Sequence, residues 1–162
     1  MLEKLLIVLR ILLEVWWWTI DIQTWEQIYM LSGSIVIGLS DKGKGRDRDD
    51  ETREAAVQCL LRLLSGPSTD KGFKPDPRRE ANTARLVSHV RSLQFFPIFG
   101  QTLTSVMETS LTTTHSLQYA CLQALHVMIE DYAPVYFVPS ILPGVVSTMV
   151  KAALGEIGRA HV

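Results

Sequence analysis

Two stretches of this chain repeat one another. Residues 53–64, REAAVQCLLRLL, align with residues 118–129, QYACLQALHVMI, at an offset of 65 positions. Ala55 meets Ala120, Gln58 meets Gln123 and Leu60 meets Leu125, while Ala56/Cys121 and Cys59/Ala124 are both pairs of small residues. A shorter offset of 46 lays Phe96-Pro97 on Leu142-Pro143, Thr102 on Thr148 and Leu103 on Met149. A unit that recurs in this way cannot bury its apolar face alone. Its copies stack, and each touches only its neighbours.

The units are helical. Apolar residues recur at spacings of three and four, and strand patterning is nearly absent, so the expected fold class is all-α with about six helices. The first covers residues 2–17. The second, capped by Asp21 or Thr24, reaches about 39, with Gly33 and Gly38 weakening it or permitting close packing. The third is 51–65, with acids in its first turn and Gly66-Pro67 as its stop. A fourth lies within 80–110, and Pro97 starts or bends its second half, from Phe96 to about Ser110. The fifth is 115–131, capped by Thr112, Thr113 or Thr114. The sixth starts between Val138 and Pro143 and runs to Leu154.

Forty-six falls within the roughly 40–47-residue period of HEAT and armadillo repeats. Inserting the Pro/Gly/charge-rich 66–80 segment gives the longer offset. The expectation is one α-solenoid segment over 1–155, made of HEAT/armadillo-like antiparallel helix pairs. Its order is a B helix (2–17), an A–B pair (22–65), a second pair (80–131) and a lone A helix (138–154). Mobile loops are expected at about 40–50 and 65–80. Proline near the start of an outer helix forfeits no donor in the first turn. The lone A helix should leave Val145, Val146, Met149 and Val150 on an uncovered apolar face.

Several function classes find little support. Net charge is −1, without the clustered basic face of a nucleic-acid binder. In DKGKGRDRDDE (41–51) the charges cancel, and GxxxxGK[ST] is not met. The apolar start is interrupted by Arg10 and Glu14. With Glu3 they share one narrow face, so a packed helix with one wet stripe is favoured over a membrane anchor through residues 2–20. None of the four histidines has metal-ligand spacing: His126 and Glu130 read as a surface i,i+4 pair, and His89, His115 and His161 stand apart. Cys59 and Cys121 occupy packing positions. There is no GxSxG elbow and no dinucleotide fingerprint. Trp16, Trp17 and Trp18 read as a helix–loop junction tucked under neighbouring helices, not a ligand cage. No catalytic residue, metal, cofactor or small-molecule ligand is expected.

The order LRILLEVWWWTIDIQTWEQIYML, a charged loop, RDDETREAAVQCLLRLLSG and then LQYACLQALHVMIEDYAPVYFVPSILPGVVSTMVKAALG resembles the N-terminal region of the fungal TEL-two-interacting protein one family. Leu142, Pro143, Gly144, Val145, Val146 and Ser147 cover that family's F-L-P-G-[IV]-V-S motif, with Ile141 where the family often has Phe. The resemblance implies a HEAT-repeat scaffold, the largest subunit of the Triple T complex. That complex works with the Hsp-ninety system to mature phosphatidylinositol-three-kinase-related kinases, including TOR and the DNA-damage-checkpoint kinases. It further implies a non-enzymatic protein of cytoplasm and nucleus. Its partners would be proteins, the other Triple T subunits and those kinases, with no nucleic acid and no membrane. An unrelated HEAT/armadillo adaptor of transport or trafficking is the alternative. The resemblance spans about residues 3–155. Residues 156–162, EIGRAHV, are what a widely used sequencing adapter encodes in one frame, so they are expected to be a non-native tail. Met1 can equally be an internal methionine.

Overall fold

The structure, a computed structural model, describes residues 1–39, 46–68, 76–112, 114–134 and 138–160, with backbone alone at 39, 46–49, 138, 141–142 and 156–160. Every regular element among these residues is helical. The helices are α1 (Leu2–Trp16), α2 (Ile22–Leu39), α3 (Arg46–Ser65), α4 (Pro77–Val90), α5 (Phe96–Thr109), α6 (His115–Val127) and α7 (Val138–Ala160). A 3-10 turn, Trp17–Thr19, follows α1, and a π-helical turn, Met128–Tyr132, continues α6.

The all-α expectation holds, with seven α-helices among the described residues instead of about six. The fourth is two helices, since the chain leaves α4 at Arg91 and Pro97 enters the first turn of α5, where its missing N–H costs nothing. The expected loops are shorter than 40–50 and 65–80. α3 begins at Arg46, five residues before the expected start at 51, so Asp50 lies inside the helix. α4 begins at Pro77, capped by Asp76 Oδ1, which accepts from the Arg78 amide at 2.9 Å. Residues 66–68 and 76 are described and non-helical, and residues 40–45 and 69–75 of the two expected loops lie outside the described residues. Helical backbone continues past Leu154 to Ala160.

α3 is the centre of the packing. It lies against α1, α2 and α6, while α5 packs on α2, α6 and α7. The duplicated positions sit in equivalent environments: Ala56 and Cys121, Cys59 and Ala124, and Leu60 and Leu125 are all buried. An aromatic group fills the junction of α2 with the α4–α5 corner. Trp25 stacks on Tyr29 at 5.3 Å between centroids, and Phe95 meets both. Gly33 allows α2 to approach α5, since a Cβ there would sit 3.1 Å from Thr102 Oγ1.

The C-terminus of α3 shows how the rest is held. A helix leaves its last four carbonyls without intrahelical donors. Here Arg62 O takes the Gly66 amide at 2.8 Å, and side chains from other elements supply the last three. The residue four after Leu63 is Pro67, which has no N–H. Leu63 O instead accepts from two indoles, Trp17 Nε1 at 2.9 Å and Trp25 Nε1 at 3.0 Å. Leu64 O accepts from the Tyr132 hydroxyl, and Ser65 O from Arg79. Arg79 also donates to Pro67 O at 2.7 Å and Arg62 to Gly66 O at 3.2 Å. Two guanidinium groups thus face the negative end of the helix dipole. Gly66 closes the helix at φ +79°, with the Trp17 ring so near that a Cβ would lie 2.7 Å from it.

Candidate interaction surface

α1 is buried on one side only. Leu6 and Leu13 face the core, while Leu5, Val8, Ile11, Leu12 and Val15 are exposed, Val15 by 81%. Leu5, Val8, Leu12 and Val15, spaced i, i+3, i+7, i+10, form one ridge. This corrects the expected packed helix with one wet stripe. Glu3, Arg10 and Glu14 are half-buried and the apolar ridge faces out. The charged side is held by the α3–α4 connection: Glu14 accepts from the Ser68 amide and hydroxyl, both at 3.1 Å. No described helix is long and apolar enough to cross a membrane.

A second apolar surface lies across α6 and α7. Tyr119 is 65% exposed, and His115, Tyr119, Leu122, Met149, Ala152 and Ala153 line an open cleft of about 420 Å³. The family-motif residues sit on the outer side of α7. Pro143, Gly144, Val146 and Ser147 are exposed and Val145 is half-buried, whereas Leu142's side chain lies outside the described residues. Val146, Met149 and Val150 are about half exposed, as an uncovered face requires. The placement of Pro143 departs from expectation. α7 starts at Val138, a full turn earlier than its counterpart in α5, so Pro143 is interior and withholds a donor from the Pro139 carbonyl.

The three tryptophans occupy different environments, although the Trp17 and Trp18 rings meet edge to face at 5.2 Å between centroids. Trp17 is buried, Trp16 is 37% exposed, and Trp18 lies under two guanidinium groups, Arg78 at 4.8 Å and Arg79 at 5.3 Å. Arg78, Arg85 and Asn82 wall an open cleft beside Trp18. Most of its donors are already committed. Arg85 binds Ile20 O at 2.6 Å and Asn82 Oδ1 at 2.7 Å, and Asn82 Nδ2 binds Trp17 O at 3.0 Å.

Titratable chemistry is sparse. Burial pushes the Cys59 thiol up and the Cys121 thiol up to about 12, so both stay protonated at neutral pH, the reverse of an activated nucleophile. His89 Nε2 lies 3.1 Å from Glu26, bridging α4 to α2, and His126 pairs with Glu130 on the surface. Among the described residues no group of three His, Cys, Asp or Glu side chains could hold a metal ion. Thr114 stands at the N-cap of α6, but its hydroxyl donates to Asp50 Oδ2 at 2.6 Å rather than closing its own helix. Asp50 also takes Arg53 at 3.3 Å, Arg53 reaches Thr109 Oγ1 at 3.0 Å, and Glu54 takes Ser116 Oγ at 2.9 Å. These bonds clamp α3 to the end of α5 and the start of α6.

Sequence reasoning missed the α1 ridge and the indole cap. The ridge has no sequence signal of its own, because α1 is apolar on both faces. The cap has one: a proline four residues after a buried helical residue orphans its carbonyl, and Leu63/Pro67 have that spacing. Comparison with known families, with curated proteins and with solved structures finds no match to this chain.

Proposed function

We propose that the chain is a non-catalytic scaffold segment of the HEAT/armadillo-like α-solenoid type, working by offering stacked helix faces to protein partners. One observation carries the reading. α1, α3 and α6 lie in sequence against one another, and α2, α5 and α7 do the same alongside, with α2 paired to α3 and α5 to α6. That is the nearest-neighbour order of a two-layer helical repeat. The buried equivalence of Ala56 and Cys121 and of Cys59 and Ala124 supports it. The uncovered apolar faces of α1 and α6–α7 are surfaces of the kind that bind proteins.

The particular role proposed rests on the resemblance to the TEL-two-interacting protein one family. The chain would belong to a Triple T subunit acting in cytoplasm and nucleus, supporting with Hsp-ninety the stability of TOR and the DNA-damage-checkpoint kinases. An affinity-tagged copy expressed in fungal cells should co-purify the other Triple T subunits and a kinase of this class. Depleting the native protein should lower the steady-state level of those kinases. Unchanged kinase levels together with no co-purifying subunit would refute the role. The scaffold reading would then pass to an unrelated adaptor.

A further inference from the structure

The end of α3 gathers more positive charge than its surroundings balance. Burial holds the Arg62 guanidinium below its ordinary value; Glu14 attracts it, while Arg10 and Arg79 repel it. Arg79 is held on the carbonyls of Ser65 and Pro67, and Glu14 gives both carboxylate oxygens to Ser68. Arg10, one turn before Glu14 on α1, is half-buried and makes no hydrogen bond or ion pair among the described residues. One hydroxyl stands inside this cluster. Ser68 Oγ accepts from Arg62 at 2.9 Å and donates to Glu14 at 3.1 Å. Ser68 is exposed and lies in irregular chain past the Gly66 that closes the helix, where a modifying enzyme can reach it. Ser65 differs: it is half-buried, and its hydroxyl donates to Leu61 O at 2.7 Å.

The geometry points to Ser68 as a phosphorylation site, whose phosphate takes over from Glu14 as the polar link between α1 and the end of α3. The donor is ATP on a serine kinase. The bond from Ser68 Oγ to the γ-phosphorus forms, the bond from that phosphorus to the β–γ bridging oxygen breaks, and ADP leaves. The hydroxyl proton passes to the base of the kinase. The esterified oxygen then has no proton to give Glu14, and a charge of about −1.5 to −2 stands against that carboxylate. Glu14 is driven off. The phosphate oxygens start beside Arg62 and come within reach of Arg10, whose guanidinium is uncommitted. Three guanidinium groups against one carboxylate leave two positive charges in excess, which a phosphate dianion cancels. Attachment of α1 thus passes from Glu14 to Arg10, one turn earlier on the same face of the helix. The switch rests on the contact of α1 with α3 alone, so a failed co-purification of Triple T subunits leaves it untouched.

Two measurements test it. The native protein is isolated from its own cells and digested with trypsin, which cuts after Arg62 and Lys71. Fragmentation of peptide 63–71 should place a phosphate on Ser68, and phosphatase treatment should remove it. The chain with phosphoserine installed at position 68 by codon reassignment is then compared with the unmodified chain. Followed by phosphorus NMR, its phosphate should titrate about one pH unit below the same phosphoserine in the free peptide, because positive neighbours favour the dianion. Arg10→Gln should return at least half of that shift, while folding like the parent. Glu14→Gln should lower the Tm of the unmodified chain and raise that of the phosphorylated one, by about 2–4 °C each. A peptide without phosphate in every growth state sampled, or with phosphate only on Ser65 or Thr69, overturns the assignment. A phosphate that titrates as in the free peptide, or a Glu14→Gln effect of one sign in both forms, overturns the switch.

Discussion

The indole cap makes its clearest prediction at one carbonyl. Trp17→Phe and Trp25→Phe each remove one of the two donors to Leu63 O and trim a fully buried ring. Each single change should cost about 2 kcal/mol. About half of that is a net hydrogen bond, and the remainder is lost ring packing, well short of the ~3–5 kcal/mol of a full truncation. After either one the carbonyl keeps a partner. The double variant leaves it with none, because Pro67 has no N–H to give and the site is buried. A buried acceptor with no partner costs a further ~1–3 kcal/mol. The double variant should therefore fall about 1–2 kcal/mol below the sum of the singles. Urea unfolding followed by far-UV circular dichroism resolves this, since with a slope of about 1–3 kcal/mol per molar the excess moves the midpoint by roughly 0.3 M or more. Additivity to within ~0.5 kcal/mol would mean that the second indole contributes nothing to the carbonyl, and would refute the shared-acceptor account.

Three further outcomes are expected. Gly66→Ala should destabilise by about 2–5 kcal/mol in the same assay, combining a left-handed backbone with a methyl group driven into the Trp17 ring. Gly38→Ala should stabilise by about 0.5–1 kcal/mol, because Gly38 lies in α2 and a Cβ there meets nothing within 4 Å. Asp21 is held below the ordinary carboxylate value of 3.8 by hydrogen bonds from the Thr24 hydroxyl and amide. Its contribution is present in full above that value and is lost as pH falls through the lower folded one. Asp21→Asn should flatten that part of the acid limb by lowering stability in the neutral region, leaving the strongly acidic end, where Asp21 is already protonated, nearly unchanged.

Much of the architecture was legible where a local rule had one reading. Asp21 caps α2, its side chain accepting from the Thr24 amide at 3.1 Å, and Pro97 opens α5 because only a first turn tolerates it. The duplicated small residues marked a corresponding buried face on each of α3 and α6. Where a pattern has two physical meanings, the reading went wrong. The charged stretch before residue 51 suits both a solvated loop and a helix, and α3 runs back through Asp50 to Arg46. Thr114 could cap its own helix or bridge to α3, and Asp50 at 2.6 Å decides for the bridge. The candidate surface was half legible. Val146, Met149 and Val150 are exposed on the face of α7 expected to be uncovered. The exposure of Val8 and Val15 was not legible, since an apolar residue does not itself tell which side of a helix its neighbours occupy.

The side chains that close α3 come from widely separated parts of the chain: Trp17 after α1, Trp25 of α2, Arg79 of α4 and Tyr132 of the π-helical turn. A one-dimensional stack loses its terminal helices first, each nearly independently of the far end. This segment is tied differently. Peeling α1 away withdraws Trp17 from the end of α3, and releasing the π turn withdraws Tyr132 from the same place. Either loss exposes carbonyls that the other still needs covered. The segment should therefore melt as one cooperative body, with its slowest-exchanging amides in the middle and late turns of α3, at equal remove from both open faces.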